Sequence, residues 1–246
     1  MQVITTFIDL RSSVPTTMKI ITWNCNGALR KKYALLDAYK ADIVVVQECE
    51  NPEESKDAGY RAWAANHLWI GDNKHKGLGI FCKKKIKLVT HNWENDECNY
   101  FISARVNDSF NLLAVWCHAK SADYQYIGQL WKYLQVNKGK LQQAVILGDL
   151  NSNSIWDRPS RNWNHSDVVR ELEDVGIRSV YHERFKERHG AEKKPTFFLH
   201  RNKVKPYHLD YVFASREMFP KVRSVKVGDP EQWLQASDHL PMVVSI

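Results

Sequence analysis

The chain has 246 residues, of which 43% are hydrophobic and 26% are charged, and this is the composition of an ordinary globular protein. The formal net charge of +7 favours a polyanionic partner. No apolar run in the sequence is long enough to span a bilayer, so we expect no membrane partner.

No repeat and no linker rich in glycine, serine or proline divides the sequence, so we predict one domain over residues 18–246, acting as a monomer. Residues 1–17 are either an added edge strand or arm, or they precede a true start at Met18. Asp9 interrupts the first apolar residues, which argues against a signal peptide. The five cysteines are odd in number and scattered, as expected of reduced, buried thiols in a cytoplasmic protein.

From residue 19 onward, short apolar runs alternate with segments of helical spacing. Strands are predicted over residues 20–23, 43–46, 60–66, 79–83, 101–106, 110–117, 144–147, 195–198, 207–214 and 241–246. Helices are predicted over residues 31–39, 122–136 and 165–174, the last with Ser166 as its N-cap. Such alternation is typical of an α/β or α+β protein.

Residues 144–151 combine a strand-like apolar run with polar residues at its exit. A buried strand has no structural need for Asp149, and an unpaired charge there is costly. Asn151 would lie on the same side of the extended chain, because side chains alternate with a period of two. These two residues are a plausible half of an active site. The alternative is a turn that caps the next segment.

Asn24, Glu48 and His118 also stand where apolar runs stop. Further candidates are Asp210, in the middle of the strand predicted over residues 207–214, and Asp238 and His239, just before the last strand. In α/β proteins, strand ends aim such side chains into a shared crevice. Carboxylates and amides suit a hard cation, and histidines suit proton transfer near neutral pH. A tetrahedral zinc site is disfavoured because the cysteines and histidines lack ligand spacing, and no G-x-S-x-G motif supports a serine nucleophile.

Short motifs occur here in the order found in the endonuclease/exonuclease/phosphatase superfamily, and residues 18–246 resemble it. The motifs are Trp23-Asn-Cys-Asn-Gly27, Gln47-Glu48, Gly77-Leu-Gly-Ile80, Gly148-Asp-Leu-Asn151, Thr196-Phe197, Leu209-Asp-Tyr211 and Ser237-Asp-His239. The resemblance implies an α/β (α+β) four-layer sandwich, in which two mixed β-sheets pack face to face with helices on the outside.

The resemblance also implies a divalent-metal site. Glu48 resembles the family's metal-binding glutamate, with Asn24 beside it and Asp238 near the metal. The expected ion is Mg²⁺, with Mn²⁺ as the alternative. Asn26, expected to contact the substrate, stands where some relatives have an aspartate, which leaves the local charge one unit smaller.

The remaining motif residues resemble the family's catalytic groups. Asp149 resembles the aspartate that aligns or deprotonates the attacking water, with Asn151 as its helper. His239 resembles the histidine that holds the scissile phosphate, hydrogen-bonded to Asp210. His118 matches a histidine of the deoxyribonuclease I-like and phosphatase branches, but the sequence shows no acidic partner for it.

The branch signatures and the loop over residues 152–166 bear on the class of substrate. The segment His208-Leu-Asp-Tyr-Val-Phe213 lacks the Trp-Cys-Asp-Arg signature of phosphoinositide phosphatases. Arg158 and Arg161 would bind phosphates while Trp156 and Trp163 stack on bases, or the tryptophans only hold the loop in place. The expected function is a divalent-metal-dependent phosphodiester hydrolase, a nuclease acting on DNA or RNA. The alternatives are a phosphatase of a small phosphorylated metabolite and a catalytically silent nucleic-acid-binding module.

Overall fold

The structure is a computed structural model that describes residues 17–95, 98–119 and 124–246. The predicted N-terminal extension, apart from Thr17, lies outside the described residues, as does the beginning of the helix predicted over residues 122–136. The strands are β1 (Lys19–Asn24), β2 (Ile43–Cys49), β3 (His67–Asn73), β4 (Lys76–Cys82), β5 (Leu88–Thr90), β6 (Phe101–Val106), β7 (Phe110–Trp116), β8 (Ala144–Asp149), β9 (Ile177–Ser179), β10 (Phe197–Phe198), β11 (Pro206–Tyr207), β12 (Asp210–Ser215), β13 (Ser224–Val227) and β14 (Met242–Ser245). The α-helices are α1 (Ala34–Asp37), α2 (Ala58–Trp63), α3 (Ile127–Asn137), α4 (His165–Asp174), α5 (Val180–Phe185) and α6 (Pro230–Trp233). None of these described helices is long and apolar enough to cross a membrane.

Two six-stranded mixed sheets form the centre of the structure. The first has the order β13-β14-β1-β2-β4-β3, in which β1 and β2 are parallel. The second has the order β5-β6-β7-β8-β12-β9, in which β7 and β8 are parallel. Strands β10 and β11 form a separate two-stranded ribbon.

The core between the sheets follows from the alternation of side chains along each strand. Ile20 and Val45 of the first sheet belong to one buried cluster with Leu112, Leu147 and Val212 of the second sheet. All of these side chains are at most 1% exposed. The two sheets therefore pack face to face, as predicted.

The intervening residues on the same strands face outward and are covered by helices. Ile146 of the second sheet belongs to a cluster with Leu130 of α3 and Leu172 of α4. On the first sheet, Trp23 meets Trp233 of α6 edge-on, with 4.9 Å between the ring centroids. The predicted four-layer sandwich is confirmed.

Two local predictions fail because polar groups cap helices at unexpected positions. The strand predicted over residues 60–66 is wrong, since Asp57 accepts a hydrogen bond from the Tyr60 N–H at 2.9 Å and starts α2. Ser166 is not the N-cap of α4. Asn164 takes that position, and its backbone N–H donates to Asp167 Oδ2 at 2.8 Å.

The helix predicted over residues 31–39 is shorter in the structure. It consists of a 3₁₀ turn, Leu29–Lys31, followed by the single turn of α1.

Gly148 provides a test of the packing at the end of β8. Its φ angle is +151°, and a Cβ atom added there would lie 1.8 Å from the backbone oxygen of Val115 on β7. We expect Gly148→Ala to lower the free energy of unfolding in urea by about 1–3 kcal/mol. Gly139→Ala is the control, because no atom lies within 4 Å of its added Cβ. Equal stability of the two variants would contradict this account.

Candidate active site

The alternation that builds the core between the sheets also brings polar side chains together at one end of it. Asn24 lies on the same face of β1 as Ile20, and Asp149 on the same face of β8 as Leu147. Asp210 on β12 pairs in register with Asp149. These polar residues therefore occupy the positions where the apolar core stops.

Asp210 is the first residue of β12, not the middle of one strand over residues 207–214 as predicted. His208 and Leu209 separate the ribbon strand β11 from β12. This break places Asp210 at the rim of the second sheet beside the end of β8, because the two strands are antiparallel.

Asp149 is fully buried, and neighbouring amides hold its carboxylate. Asn24 Nδ2 donates to Asp149 Oδ2 at 2.9 Å. The backbone N–H of Asn151 donates to Asp149 Oδ1 at 2.8 Å, and Asn151 Nδ2 donates to Oδ2 at 3.0 Å. Asn151 adopts a φ of +46°, a conformation that asparagine tolerates better than most residues. The two residues thus act as one unit.

His239 connects Asp149 and Asp210. Its Nδ1 lies 2.9 Å from Asp210 Oδ2, and its Nε2 lies 3.9 Å from Asp149 Oδ2. Burial alone would lower the pKa of His239, but Asp210 and Asp149 outweigh it and raise this pKa to about 10. Burial raises the pKa of Asp149 to about 7, although the charge of His239 opposes the rise. The two neighbouring carboxylates therefore favour the imidazolium form of His239.

Hydrogen bonds from neighbouring segments fix the backbone at His239 and at Asp210. Trp23 Nε1 donates to the His239 carbonyl oxygen at 3.0 Å, and the His239 N–H donates to Ser237 Oγ at 3.0 Å. Thr196 Oγ1 accepts the backbone N–H of Asp210 at 3.0 Å. These contacts explain why Trp23, Thr196 and Ser237 occur in the motifs beside the polar residues.

Glu48 reaches the site through a β-bulge. Strict alternation would place it on the outer face of β2 with Val46, but the pairing with β4 shifts between Gln47 and Cys49. Glu48 has a φ of +61°, and its Oε1 accepts a hydrogen bond from Asn24 Nδ2 at 3.3 Å. A bulge re-aims a side chain in this manner and is common beside active sites.

Lys76, which the sequence analysis did not identify, forms an ion pair with Glu48. Lys76 Nζ lies 2.8 Å from Glu48 Oε2 and 5.9 Å from the centre of the Trp116 ring. The Lys76 side chain is half exposed, whereas the Glu48 side chain is only 18% exposed. A positive charge therefore already accompanies Glu48 at the mouth of the crevice.

Asp238 and Asn26 lie on the other side of Asn24. Asn26 Nδ2 donates to Asp238 Oδ1 at 2.9 Å, and the Asn26 N–H donates to Asn24 Oδ1 at 3.0 Å. Ser237 Oγ donates to the Asn24 carbonyl oxygen at 2.8 Å. Asn24 consequently links Glu48, Asp149 and the Asn26–Asp238 pair into one network.

His118 follows β7 and packs edge-on against two aromatic rings. Its ring centroid lies 4.8 Å from Trp116 and 5.8 Å from Tyr100. Burial lowers the pKa of His118, while Glu48 raises it to a smaller extent. Within the described part of the chain, the buried His118 Nδ1 has no hydrogen-bond partner. The Glu48 charge thus reaches His118, but no hydrogen bond among the described residues joins the two side chains.

A cavity of about 360 Å³ connects Asn151 to the loop over residues 152–166. Its lining includes Trp156, Arg158, Arg161 and Trp163. Arg161 stacks on Trp163, with 4.3 Å between the guanidinium carbon and the ring centre, and its Nε donates to Asn164 Oδ1 at 3.1 Å. Arg158 is exposed.

The tryptophans of this loop differ in their surroundings. Trp163 is partly buried against the cluster under α3, so it holds the loop in place. Trp156 is 43% exposed and begins a row of rings: its centroid lies 5.1 Å from Tyr207, which lies 6.3 Å from Phe197. Phe197 lies 4.6 Å from His239. An aromatic surface therefore leads from the loop into the site.

Cysteine chemistry does not fit this site. Cys25, Cys49 and Cys117 are fully buried. Burial raises the pKa of all three thiols, so the thiolate form needed for nucleophilic attack is scarce.

The donor set around Glu48 fits a divalent ion. Glu48 and Asp238 offer carboxylate oxygens, the hard ligands that Mg²⁺ prefers, and the Lys76 ammonium occupies a cation position beside Glu48. The Asn24 amide turns its nitrogen to Glu48, while its oxygen accepts from the Asn26 N–H. Asp149, Asp210 and His239 also have ligand atoms within 4.8 Å of one another. A protonated imidazole has no lone pair for a metal, which makes this second group a poorer metal site.

The sequence matches the Endonuclease/Exonuclease/phosphatase family over residues 21–239. The chain belongs to this family. Its members are hydrolases that act on phosphoester bonds. Comparison with the curated proteins finds no match.

Solved structures with the same fold include several members of this family. An AP endonuclease from Archaeoglobus fulgidus has a TM-score of 0.71 at 19% identity, with 92% of this chain and 98% of that chain covered. The 3' phosphatase NExo from Neisseria, bound to product DNA hairpin, has a TM-score of 0.68 at 20% identity with the same coverage. The endonuclease domain of TRAS1, a telomere-specific non-LTR retrotransposon, has a TM-score of 0.60 at 16% identity, with 94% and 98% covered. These likenesses establish the fold.

The ion pair between Lys76 and Glu48 leads to a prediction about metal affinity. The Lys76 ammonium competes with a divalent ion for the Glu48 carboxylate, so Lys76→Met should lower the Kd for Mg²⁺, by up to about fivefold for a half-exposed pair. Isothermal titration calorimetry measures this Kd. Lys74→Met, in the exposed turn between β3 and β4, is the control. Unchanged or weaker Mg²⁺ binding by Lys76→Met would show that Lys76 does not oppose the metal.

Proposed function

We propose that this chain is a divalent-metal-dependent nuclease that hydrolyses phosphodiester bonds of DNA or RNA. The observation that carries the proposal is the gap of 3.9 Å between Asp149 Oδ2 and His239 Nε2. This separation exceeds a direct hydrogen bond, and a single oxygen atom can lie within hydrogen-bond distance of both atoms. One atom is a basic oxygen and the other a cationic donor, which is the pair that phosphoester hydrolysis needs.

Asp149 is suited to accept the proton of the attacking water. Its raised pKa makes its carboxylate a stronger base than an ordinary aspartate. Asn24 and Asn151 hold both carboxylate oxygens, so the base is oriented before the substrate arrives. As the water oxygen bonds to phosphorus, its proton passes to Asp149 and the bond from phosphorus to the leaving oxygen breaks. The leaving oxygen takes the electron pair of that bond and gains a proton from solvent.

His239 is suited to bind a phosphate oxygen on which negative charge develops. Asp210 holds its Nδ1 side, so Nε2 is the N–H that remains for the substrate. A preorganised donor of this kind is typically worth about 3–4 kcal/mol of transition-state stabilisation. His118, which packs on Trp116 and lies near Glu48, is suited to supply a further imidazole beside the proposed metal ligand.

Glu48, Asn24 and Asp238 would hold the divalent ion. When bound, the ion neutralises charge on the phosphate oxygens as a Lewis acid. Asn26 holds Asp238 in place and lies at the same rim, where it is suited to contact the substrate. Lys76 is suited to turn from Glu48 toward a substrate phosphate once the ion takes its place.

Several features favour nucleic acid over a small metabolite as the substrate. The net charge is +7, and the cavity beside Asn151 carries the exposed Arg158. The rings of Trp156, Tyr207 and Phe197 provide a surface on which bases can stack. The similar NExo structure contains a DNA hairpin. A small phosphorylated metabolite would make no use of this extended surface.

The decisive experiment is an activity screen with end-labelled DNA, RNA and phosphomonoesters. We expect cleavage of a nucleic acid in Mg²⁺, none after exhaustive chelation, and a loss of kcat of about a hundredfold or more in Asp149→Asn. Asp174→Asn, an exposed carboxylate at the end of α4, is the matched control and should retain full activity. Urea unfolding of each variant separates loss of catalysis from loss of fold.

Three outcomes would overturn the proposal. Turnover of phosphomonoesters without nuclease activity would identify a metabolite phosphatase. Binding of nucleic acid without cleavage would identify a silent module. Cleavage that survives in Asp149→Asn would place the catalytic base elsewhere.

Arg158 leads to a prediction about salt dependence. Its exposed side chain is available for a phosphate, so Arg158→Ala should raise KM. The slope of log KM against log salt concentration should also fall by the amount expected for about one phosphate contact. Arg223→Ala is the control, because this exposed arginine precedes β13 at the opposite end of the first sheet. An identical salt slope for both variants would remove Arg158 from the substrate interface.

A further inference from the structure

A group of four histidines and one glutamate has no part in the proposed reaction. His165 begins α4, His182 lies in α5, His189 and Glu192 lie in the loop that follows, and His208 precedes β12. Together they include four of the ten histidines of the chain. Ring contacts connect His165 to His189, His189 to His182, and His182 to His208.

Three of these residues bring ligand atoms into one small volume. One ligand atom from each of His182, His189 and Glu192 lies within 4.8 Å of the other two. His182 Nε2 is 3.0 Å from Glu192 Oε1. His165 Nε2 is 3.0 Å from His189 Nδ1, so a further imidazole borders the group.

We propose that His182, His189 and Glu192 form a binding site for a zinc-class transition-metal ion. Two imidazole nitrogens and one carboxylate oxygen are a known ligand set for Zn²⁺, with a fourth position left open. Softer thiolate ligands are not involved, and oxygen-only ions such as Mg²⁺ are disfavoured by the imidazoles.

The partners of these side chains are those expected around metal ligands. His182 Nδ1 lies 2.7 Å from Ser179 Oγ, which leaves Nε2 on the side of Glu192. Glu192 accepts hydrogen bonds from Asn153 Nδ2 at 3.1–3.2 Å and from the Gly190 N–H at 3.1 Å. Ligating histidines and carboxylates are characteristically held by such outer hydrogen bonds, which set the tautomer and the direction of the lone pair.

The two imidazole rings of the proposed site lie face to face. The rings of His182 and His189 stack with 3.5 Å between centroids and 14° between planes. His208 Nε2 is buried and lacks a partner in the described structure, so one ring nitrogen of the group makes no hydrogen bond there.

Metal binding requires the two stacked rings to turn apart, because two nitrogens directed at one ion cannot remain face to face. His189 is the side chain that can move. It is only half buried, and it precedes Gly190, whose φ is +87°. His182 is held in α5 and Glu192 by Asn153, so these two provide the fixed part of the site.

The test uses full-length protein without a histidine tag, stripped with a chelator, and Zn²⁺ as the probe. Zinc affinity is measured by competition with a chromophoric chelator, and thermal unfolding is measured with and without Zn²⁺. We expect one Zn²⁺ ion per chain and a higher Tm. His189→Asn should weaken zinc binding by about tenfold or more and abolish the rise in Tm.

Two controls separate this site from the proposed active site. Glu48→Gln removes the candidate magnesium ligand and should leave zinc affinity unchanged. His200→Asn removes an exposed histidine outside the group and should also have no effect. Circular dichroism verifies the fold, and because His189 is partly exposed, His189→Asn is decisive even if Glu192→Gln does not fold. Absence of stoichiometric zinc binding, equal affinity in His189→Asn, or loss of binding in Glu48→Gln would overturn the proposal.

Discussion

Two buried carboxylates on neighbouring strands cannot both carry a charge unless a cation lies between them. Asp149 and Asp210 are paired in register on β8 and β12, and both are fully buried. His239 supplies the cation from the first sheet, just before β14. Because an unpaired buried charge costs several kcal/mol, this contact ties the ends of the two sheets together. The same contact leaves Nε2 of a protonated imidazole directed toward Asp149, so the requirement that stabilises the fold also creates the proposed catalytic pair.

The sequence predicts the interior of each sheet and misses its margins, for a physical reason. Central strands such as β1, β2, β7 and β8 are buried on both faces, so they are continuous apolar runs in the sequence. The unpredicted strands are the sheet edges, β3, β5, β9 and β13. Edge strands are partly exposed and most of these have three or four residues, which is too short for a period of two to be recognised. The segment of α2 is wrongly predicted as a strand. Its helix start depends on one side chain, that of Asp57, which does not stand out among the polar residues around it.

The candidate site also contains residues that the sequence identifies and residues that it does not. Motif residues such as Asn24, Asp149 and His239 stand at strand ends, where alternation and resemblance identify them from the sequence, and the structure brings them into one network. Lys76 could not be found in that way, because its only signal is a pairing with Glu48 across a β-bulge. The aromatic row from Trp156 to Phe197 was also invisible, since its members come from separate loops and ribbon strands. Contacts between distant segments depend on the tertiary fold, which no local pattern encodes.

The loop that leaves β8 connects the two sites proposed for this chain. At its start, Asn151 binds the carboxylate of Asp149, and two residues later Asn153 donates to Glu192, with further bonds to the His208 carbonyl oxygen at 3.1 Å and the Tyr211 hydroxyl at 3.2 Å. Alternate residues of one short segment therefore face the proposed base and the histidine group. A metal ion on Glu192 would withdraw charge from the carboxylate that Asn153 binds and weaken that hydrogen bond. Through Asn151 and Asn153, the one loop that leaves β8 therefore contributes a hydrogen-bond donor to each of the two proposed sites.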